Sequence, residues 1–256
     1  MRIATWNVNS IRARLPNILA WLNDAKPDVL LMQEIKCETE AFPALELNAA
    51  GYTTHALGQK SYNGVAIASL HKIENVQENF PDAADDTQAR YLEATIQGLR
   101  LASIYLPNGN PLGTEKYTYK LNWLKKLKRR ATELLRIEKP VILGGDFNVI
   151  PTERDVYDPQ GWEQDALYAP SSRAAYREIL NLGYTEIFRA QHPTDCAYSF
   201  WDYQGGAWQQ NKGLRIDHFL LSPEAVDRAG ACTIDRAPRA QDKASDHTPV
   251  ILEIKN

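Results

Sequence analysis

Cysteine is scarce in this 256-residue chain: Cys37, Cys196 and Cys232 are the three present. An odd count at no metal-ligand spacing supplies neither a disulfide framework nor a structural zinc site, so reduced thiols in a cytoplasmic protein are the default expectation. No apolar run approaches the ~20 residues of a membrane-spanning helix. The opening Met1-Arg-Ile-Ala-Thr-Trp-Asn-Val-Asn9 lacks the apolar segment of a secretory signal and reads directly as a strand. With no long extension before Arg2, no regulatory tail is expected. Gly-x-Ser-x-Gly, Walker and Gly-x-Gly-x-x-Gly patterns are all missing, which leaves serine hydrolase, NTPase and Rossmann readings without support. Strong charge of one sign is missing too: 29 basic against 32 acidic residues give a net −3, a balance that on average argues against a nucleic-acid partner.

What is present is an ordinary globular composition, 44% hydrophobic and 24% charged, in a length suited to one large domain or two small ones. The charge is unevenly spread. Residues 116–130 carry seven cations (Lys116, Lys120, Lys125, Lys126, Lys128, Arg129, Arg130) and no acid, which fits a solvated helix face or a phosphate-facing patch. Apolar runs predict strands at Arg2–Trp6, Asp28–Met32, Gly64–Ser69, Tyr91–Gln97, Leu101–Tyr105, Val141–Gly144, Arg215–Leu221 and Pro249–Ile254. Helical periodicity predicts helices over Ile11–Asn23, Tyr119–Leu135 and Ser172–Leu182, the last capped by Ser171 or Ser172 and stopped by Gly183.

Two stretches repeat one plan: strand, helix, Lys-Pro, then an apolar strand delivering a carboxylate, Glu34 in the first and Asp146 in the second. This pseudo-twofold implies two similar layered halves with their strand ends meeting, and no Gly/Ser linker divides them, so a single domain is expected. Pro107–Thr114, Pro151–Pro170, Gln191–Ala197 and Tyr203–Gly213 are polar loops. The last three are long enough to suggest substrate contact.

Carboxylates recur where buried strands end: Glu34 after Val-Leu-Leu-Met-Gln, Asp146 after Val-Ile-Leu-Gly-Gly, and Asp217 inside Leu-Arg-Ile-Asp-His-Phe-Leu-Leu. Such groups cost several kcal/mol of desolvation unless something cationic compensates them. A salt bridge would suffice for any one. Several together, with carboxamides beside them, suit a hard cation such as Mg²⁺. In Gly144-Gly-Asp-Phe-Asn148, Asp146 and Asn148 project to one side of an extended chain and could serve a water and a phosphoryl oxygen, although an Asx-turn would look the same. His247, in Ser245-Asp-His-Thr-Pro249, stands beside an acid at a strand entrance, and Asp217 is a plausible orienting partner. His218 should point away from Asp217 and be structural. His55, His71 and His192 are expected to be exposed in loops.

These residues, in this order, resemble the exonuclease III family of AP endonucleases within the endonuclease–exonuclease–phosphatase superfamily. The resemblance spans the chain through Thr5-Trp-Asn-Val-Asn9, Pro27-Asp-Val-Leu-Leu-Met-Gln-Glu-Ile-Lys36, Gly64-Val-Ala-Ile67, Tyr105-Leu-Pro-Asn108, Gly144-Gly-Asp-Phe-Asn-Val149, Asn211-Lys-Gly-Leu-Arg-Ile-Asp217 and Ser245-Asp-His247. Gln-Glu, Gly-Asp-x-Asn and Ser-Asp-His mark the superfamily. Gln-Glu-x-Lys and Asn-x-Gly-x-Arg-Ile-Asp point to the DNA-repair branch.

The resemblance implies an α/β four-layer sandwich, two β-sheets face to face with helices outside. It implies Mg²⁺-dependent (or Mn²⁺-dependent) cleavage of double-stranded DNA 5′ to abasic sites, with 3′→5′ exonuclease action on ends such as recessed ones and removal of blocked 3′ ends; a monomer in the cytoplasm, at the nucleoid when on DNA, is the default expectation. Carried over position by position, Asn7, Glu34, Asp146, Asn148, Asp246 and His247 would hold or border the metal. Tyr105, Asp146, Asn148, Asp217 and His247 would be catalytic: Asp146 on the attacking water, Asn148 on the phosphate, Tyr105 on that phosphate or the leaving group, and His247, oriented by Asp217, on a phosphate oxygen or as base. Tyr62, Asn63, Arg90 and Asn108 would contact DNA, while Phe200, Leu214 and Ile216 would line a pocket for a flipped-out sugar. Trp201 and Trp208 would wedge at the duplex or cap the core. The loop Gly109–Gly113 carries no cation, and Glu186-Ile-Phe-Arg189 departs from the family's Asp-Thr-Phe-Arg, a difference expected to be structural. Rival readings are a non-specific deoxyribonuclease, another phosphodiesterase of the superfamily, or a catalytically inactive DNA-lesion-binding protein.

Overall fold

A computed structural model describes residues 1–81 and 86–255 of the protein. In chain order the strands are β1 (Arg2–Asn7), β2 (Val29–Gln33), β3 (Thr53–Leu57), β4 (Val65–Ser69), β5 (Glu74–Glu78), β6 (Tyr91–Ile96), β7 (Leu99–Tyr105), β8 (Val141–Asp146), β9 (Thr185–Glu186), β10 (Asp217–Leu221), β11 (Ala229–Ile234) and β12 (Val250–Ile254). The helices are α1 (Ile11–Ala25), α2 (Ala44–Ala49), α3 (Glu115–Leu135), α4 (Pro170–Leu180), α5 (Ile187–Gln191) and α6 (Pro223–Val226).

The strands form two six-stranded sheets, ordered β11-β12-β1-β2-β4-β3 and β5-β6-β7-β8-β10-β9. Each has one parallel pair at its centre, β1 with β2 and β7 with β8, bridged by α1 and α3 respectively. The two repeated strand–helix–strand stretches are these crossovers, so the pseudo-twofold of the sequence is a pseudo-twofold of the fold. The central strands read as unbroken apolar runs because both of their faces are covered. In β1 and β2, Ile3, Val29 and Leu31 turn inward against Leu101, Ile142 and Phe219 of the other sheet. Their alternating neighbours Ala4, Trp6, Leu30 and Met32 turn outward under α1 and α2. α3 and α4 cover the outer face of the second sheet in the same way. The result is the expected helix–sheet–sheet–helix sandwich. Gly144 permits the sheets to come this close, since a Cβ there would lie 2.9 Å from Leu31 Cδ1 across the interface.

α1 starts on Ser10, whose side chain accepts from Ala13 N–H, and ends on Lys26 in a left-handed conformation. α3 begins at Glu115, four residues before its apolar stripe suggests. α4 begins at Pro170 with Ala169 in the cap position, and Ser172 instead uses its hydroxyl inside, donating to Ala166 O at 2.6 Å. His55, His71 and His192 are half-buried rather than free in loops. Their ring nitrogens meet Glu78, Asp28 and Cys232 O at 2.8, 3.1 and 3.1 Å. Of the seven clustered cations, Lys120 is buried, Arg130 lies between Glu93 and Glu133, Lys128 meets Glu178 and Lys126 meets Asp86, so much of the patch is internally paired. Among the described residues no helix is long and apolar enough to cross a membrane.

Candidate active site

The site lies where the two sheets end together. Hydrogen-bond register sets Tyr105, at the end of β7, beside Asp146 at the end of β8, and Asp146 opposite Asp217 at the start of β10. From the other sheet come Asn7 at the end of β1, Glu34 just past β2, and His247 just before β12. Glu34 takes a left-handed turn (φ 51°) that swings its carboxylate toward the seam. One ligand atom each from Glu34, Asp146 and His247 lie within 4.8 Å of one another. Two carboxylates and an imidazole at that spacing can hold a divalent cation, and carboxylate oxygens suit a hard one.

The surrounding contacts keep the carboxylates apart in role. Asn7 Nδ2 donates to Glu34 Oε1 at 2.8 Å and to Asp146 Oδ2 at 3.0 Å, while its Oδ1 accepts from Asn9 N–H. Asn7 thus presents its amide hydrogens, bridging the two acids. Lys36 pairs with Glu34 Oε2 at 2.8 Å and donates to Asn9 Oδ1. Burial raises the Glu34 carboxyl, but Lys36, the Asn7 hydrogen bond and His247 together keep the pKa below the ordinary value. Asp146 has no such neighbour. Its burial, with Asp217 and Glu34 adding repulsion, raises its pKa against the pull of His247.

His247 is buried, with Nδ1 2.9 Å from Asp217 Oδ2 and Nε2 3.8 Å from Asp146 Oδ2. Burial opposes its charge, yet Asp217, with Asp146 and Asp246 adding to it, raises the imidazole pKa above its usual range. Ser199 donates to the same Asp217 oxygen at 2.6 Å, fixing the carboxylate. Burial first, then Glu34 and Asp146, push the Tyr105 phenol well above its usual pKa, so it remains a proton donor. Arg90 stacks 4.7 Å over its ring.

Asn148 (φ 45°) is folded back under Asp146: its N–H donates to Oδ1 at 2.9 Å, and its Nδ2 reaches Leu106 O at 2.9 Å and Asp146 Oδ2 at 3.3 Å. Asp246 stands at the edge of the cleft, bound by Asn9 and Ser245, outside the trio of close ligand atoms. Tyr62 is 71% exposed, whereas Asn63 is only 8% exposed and its amide is turned to Gln59 and Gln88. Arg90 reaches Gln88 and Tyr105 O. Asn108, Phe200, Leu214 and Ile216 line a cleft of about 620 Å³ together with the acids. The loops 107–114, 151–170 and 203–213 build its walls, the second adding Tyr157, Trp162 and Leu167; loop 191–197 contributes no residue to it. Trp201 is buried in the core under Trp208. Glu186 caps α5 and pairs with Arg215 at 2.9 Å, a structural part.

Two contributors lie outside the motifs of the sequence. Ser199 acts only through Asp217, from a stretch with no pattern of its own. Lys120 had a signal: it shares the buried helical register of Leu124, Leu127, Ala131 and Leu134. Its ammonium donates to Asn148 O at 2.6 Å and Asn108 O at 2.9 Å, tying together the two asparagine loops. Burial, offset in part by Asp165 and Asp146, lowers its pKa to about 7.

Comparison with known proteins agrees with this geometry. The Endonuclease/Exonuclease/phosphatase family matches residues 4–247. An exodeoxyribonuclease III from Haemophilus influenzae is 30% identical, each chain covered in full. A DNA repair nuclease from Danio rerio is 31% identical over 98% of this chain and 81% of its own. An AP endonuclease structure from Archaeoglobus fulgidus superposes with a TM-score of 0.96 at 36% identity, both chains fully covered. A 3′ phosphatase from Neisseria bound to product DNA hairpin gives 0.98 at 37%, again over the whole of both chains.

Proposed function

The chain belongs to the endonuclease/exonuclease/phosphatase family, and within it to the exonuclease III type of AP endonuclease; from that premise we propose that it is a Mg²⁺-dependent DNA phosphodiesterase of base-excision repair. Its reactions are incision 5′ to abasic sites, 3′→5′ exonuclease action and clearing of blocked 3′ ends. The whole of residues 1–256 forms one such domain, acting as a cytoplasmic monomer on double-stranded DNA. The observation that carries this reading is the convergence of Glu34, Asp146 and His247 from opposite ends of the chain, with ligand atoms within 4.8 Å.

Glu34 and Asp146, with His247 bordering, would hold the cation, and Asn7 bridges the two acids. Mg²⁺, or Mn²⁺ in its place, supplies Lewis acidity toward a phosphoryl oxygen and the leaving 3′-oxygen. Asp146, raised by burial, aligns a water and accepts its proton. His247, kept charged by Asp217, donates to a phosphate oxygen, and Tyr105 adds a neutral donor as charge builds in the transition state, with Asn148 joining it by exchanging its longer Nδ2 contact, to Asp146 Oδ2, for a phosphate oxygen. The apolar wall of Phe200, Leu214 and Ile216 favours a sugar without its base, because extrusion costs least where no pairing is lost. Clearing of 3′ ends is included because the Neisseria neighbour, alike over its full length, is a 3′ phosphatase.

A duplex carrying one abasic analogue, a recessed-end duplex and a 3′-phosphate duplex, each incubated with Mg²⁺ and with EDTA, test the reading. Nicking at the analogue that EDTA abolishes is the expected result. Uniform degradation would instead mark a general nuclease, and binding without cleavage an inactive lesion binder.

A further inference from the structure

Next to the cleft is a second hollow of about 350 Å³, lined by Arg14, Tyr203, Arg239, Gln241, Lys243 and Ala244. Three of those side chains are cations and none is a carboxylate. Arg239 is 8% exposed, packs 5.4 Å from the Tyr203 ring centre and donates to Trp201 O, yet its Nε has no partner. The Nε of Arg14 is likewise buried and unpartnered. Desolvated guanidinium N–H groups without an acceptor are costly in a folded protein. Burial also holds Arg239 below the ordinary guanidinium pKa, although Tyr203, Asp246 and Asp202 favour its charge. An anion seated here would relieve both penalties.

The hollow is wired to the acids. Tyr203 Oη accepts from Arg14 Nη2 at 3.0 Å and from Asn9 Nδ2 at 3.2 Å, and it donates to Ala244 O at 2.9 Å. Asn9 Nδ2 also donates to Asp246 Oδ1 at 3.0 Å, on the rim of the cleft. Through Tyr203, Asn9 and Asp246 the hollow adjoins the rim of the cleft that holds Asp146. We propose that Arg14, Arg239 and Lys243, gathered round Tyr203, form a second phosphate subsite that grips a backbone phosphodiester of the bound DNA away from the one being cut. This rests on the reading of the chain as a DNA enzyme.

Lys243 is exposed and sits at φ 51°, a conformation asparagine adopts readily, so Lys243→Asn removes a cation without disturbing the fold. Arg14→Gln, on the half-buried side of α1, is the second variant. Equilibrium binding of a 3′-recessed duplex is measured in EDTA across a salt series, so that no cleavage is needed for the readout. Each variant is expected to bind about 3- to 10-fold more weakly, with the slope of log K against log salt shallower by about 1. Unchanged affinity and slope in both variants overturn the subsite while leaving the enzyme reading intact. Wild-type protein that fails to bind DNA at all sinks the underlying reading. Inorganic phosphate is the control ligand: if it raises the wild-type melting temperature and the variants lose that shift with DNA affinity unchanged, the hollow is a free-anion site and the assignment to DNA falls.

Discussion

Asp146 concentrates the demands on the site into one side chain. It accepts from Asn7, Asn148 N–H and Asn148 Nδ2, faces His247, and is buried with a raised pKa. Asp146→Asn keeps the shape and deletes the charge and the proton acceptor. Single-turnover assays are expected to show a loss on the order of 10²-fold or more with DNA affinity kept; near-normal turnover removes Asp146 from the mechanism. Lys120 makes a different demand, since it reaches the reaction only through the backbone carbonyls of Asn108 and Asn148. Lys120→Met preserves the packed stem and loses the two hydrogen bonds. It is expected to lower kcat about tenfold or more, because misplacement by a fraction of an ångström is costly, while KM for DNA changes by less than about threefold. A variant altered in KM alone would show that Lys120 serves binding instead.

At the scale of elements, Asp155 clasps three segments at once. It caps its own turn through Thr152, pairs with Arg189 from α5 at 2.6 Å and with Arg215, just before β10, at 2.8 Å. Burial would raise its pKa, but Arg215, Thr152 and Arg189 together outweigh that and hold it at about 2. A carboxyl whose pKa lies lower in the folded chain than the ordinary value of about 3.9 adds stability above that ordinary value and loses it as pH falls toward 2. Urea unfolding of wild type and Asp155→Asn is therefore expected to differ most at neutral pH, with about 2 kcal/mol of that gap disappearing between pH 5 and 2. A pH-independent gap would show that the clasp works by shape and not by charge. The same pairing explains why β10 starts at Asp217 and not at Arg215: the arginine is drawn into the clasp and leaves the ladder.

Legibility in the sequence followed burial. The eight strands that stand out as apolar runs are the inner strands of the two sheets, covered on both faces. The four that do not, β3, β5, β9 and β11, are the four sheet edges, where Thr53-Thr-His-Ala-Leu57 and Glu74-Asn-Val-Gln-Glu78 carry side chains suited to water. The acids at the site were visible because a carboxylate at the end of a buried strand is costly without a purpose. Asn7's bridging orientation, Ser199's hold on Asp217 and Lys120's grip on two loops depend on chain segments far apart in sequence, and no local pattern encodes them.

For the whole molecule, cation binding and folding share one free energy. Carboxylates gathered this closely repel one another, so a divalent ion held by Glu34 and Asp146 would favour the folded chain over the unfolded one. Saturating Mg²⁺ is expected to raise the melting temperature, with about 2.7 kcal/mol gained at a hundredfold excess over Kd. EDTA should reverse the shift, and Glu34→Gln should abolish it; an equal shift in that variant would place the ion elsewhere. Glu34 and His247 flank strands of one sheet, whereas Asp146 and Asp217 belong to the other. Slippage of one layer over its neighbour would scatter the quartet without breaking a single ladder bond. Heat should therefore stop turnover several degrees before far-ultraviolet circular dichroism registers any loss of strand, which makes catalysis the more sensitive thermometer of how well the layers stay in step.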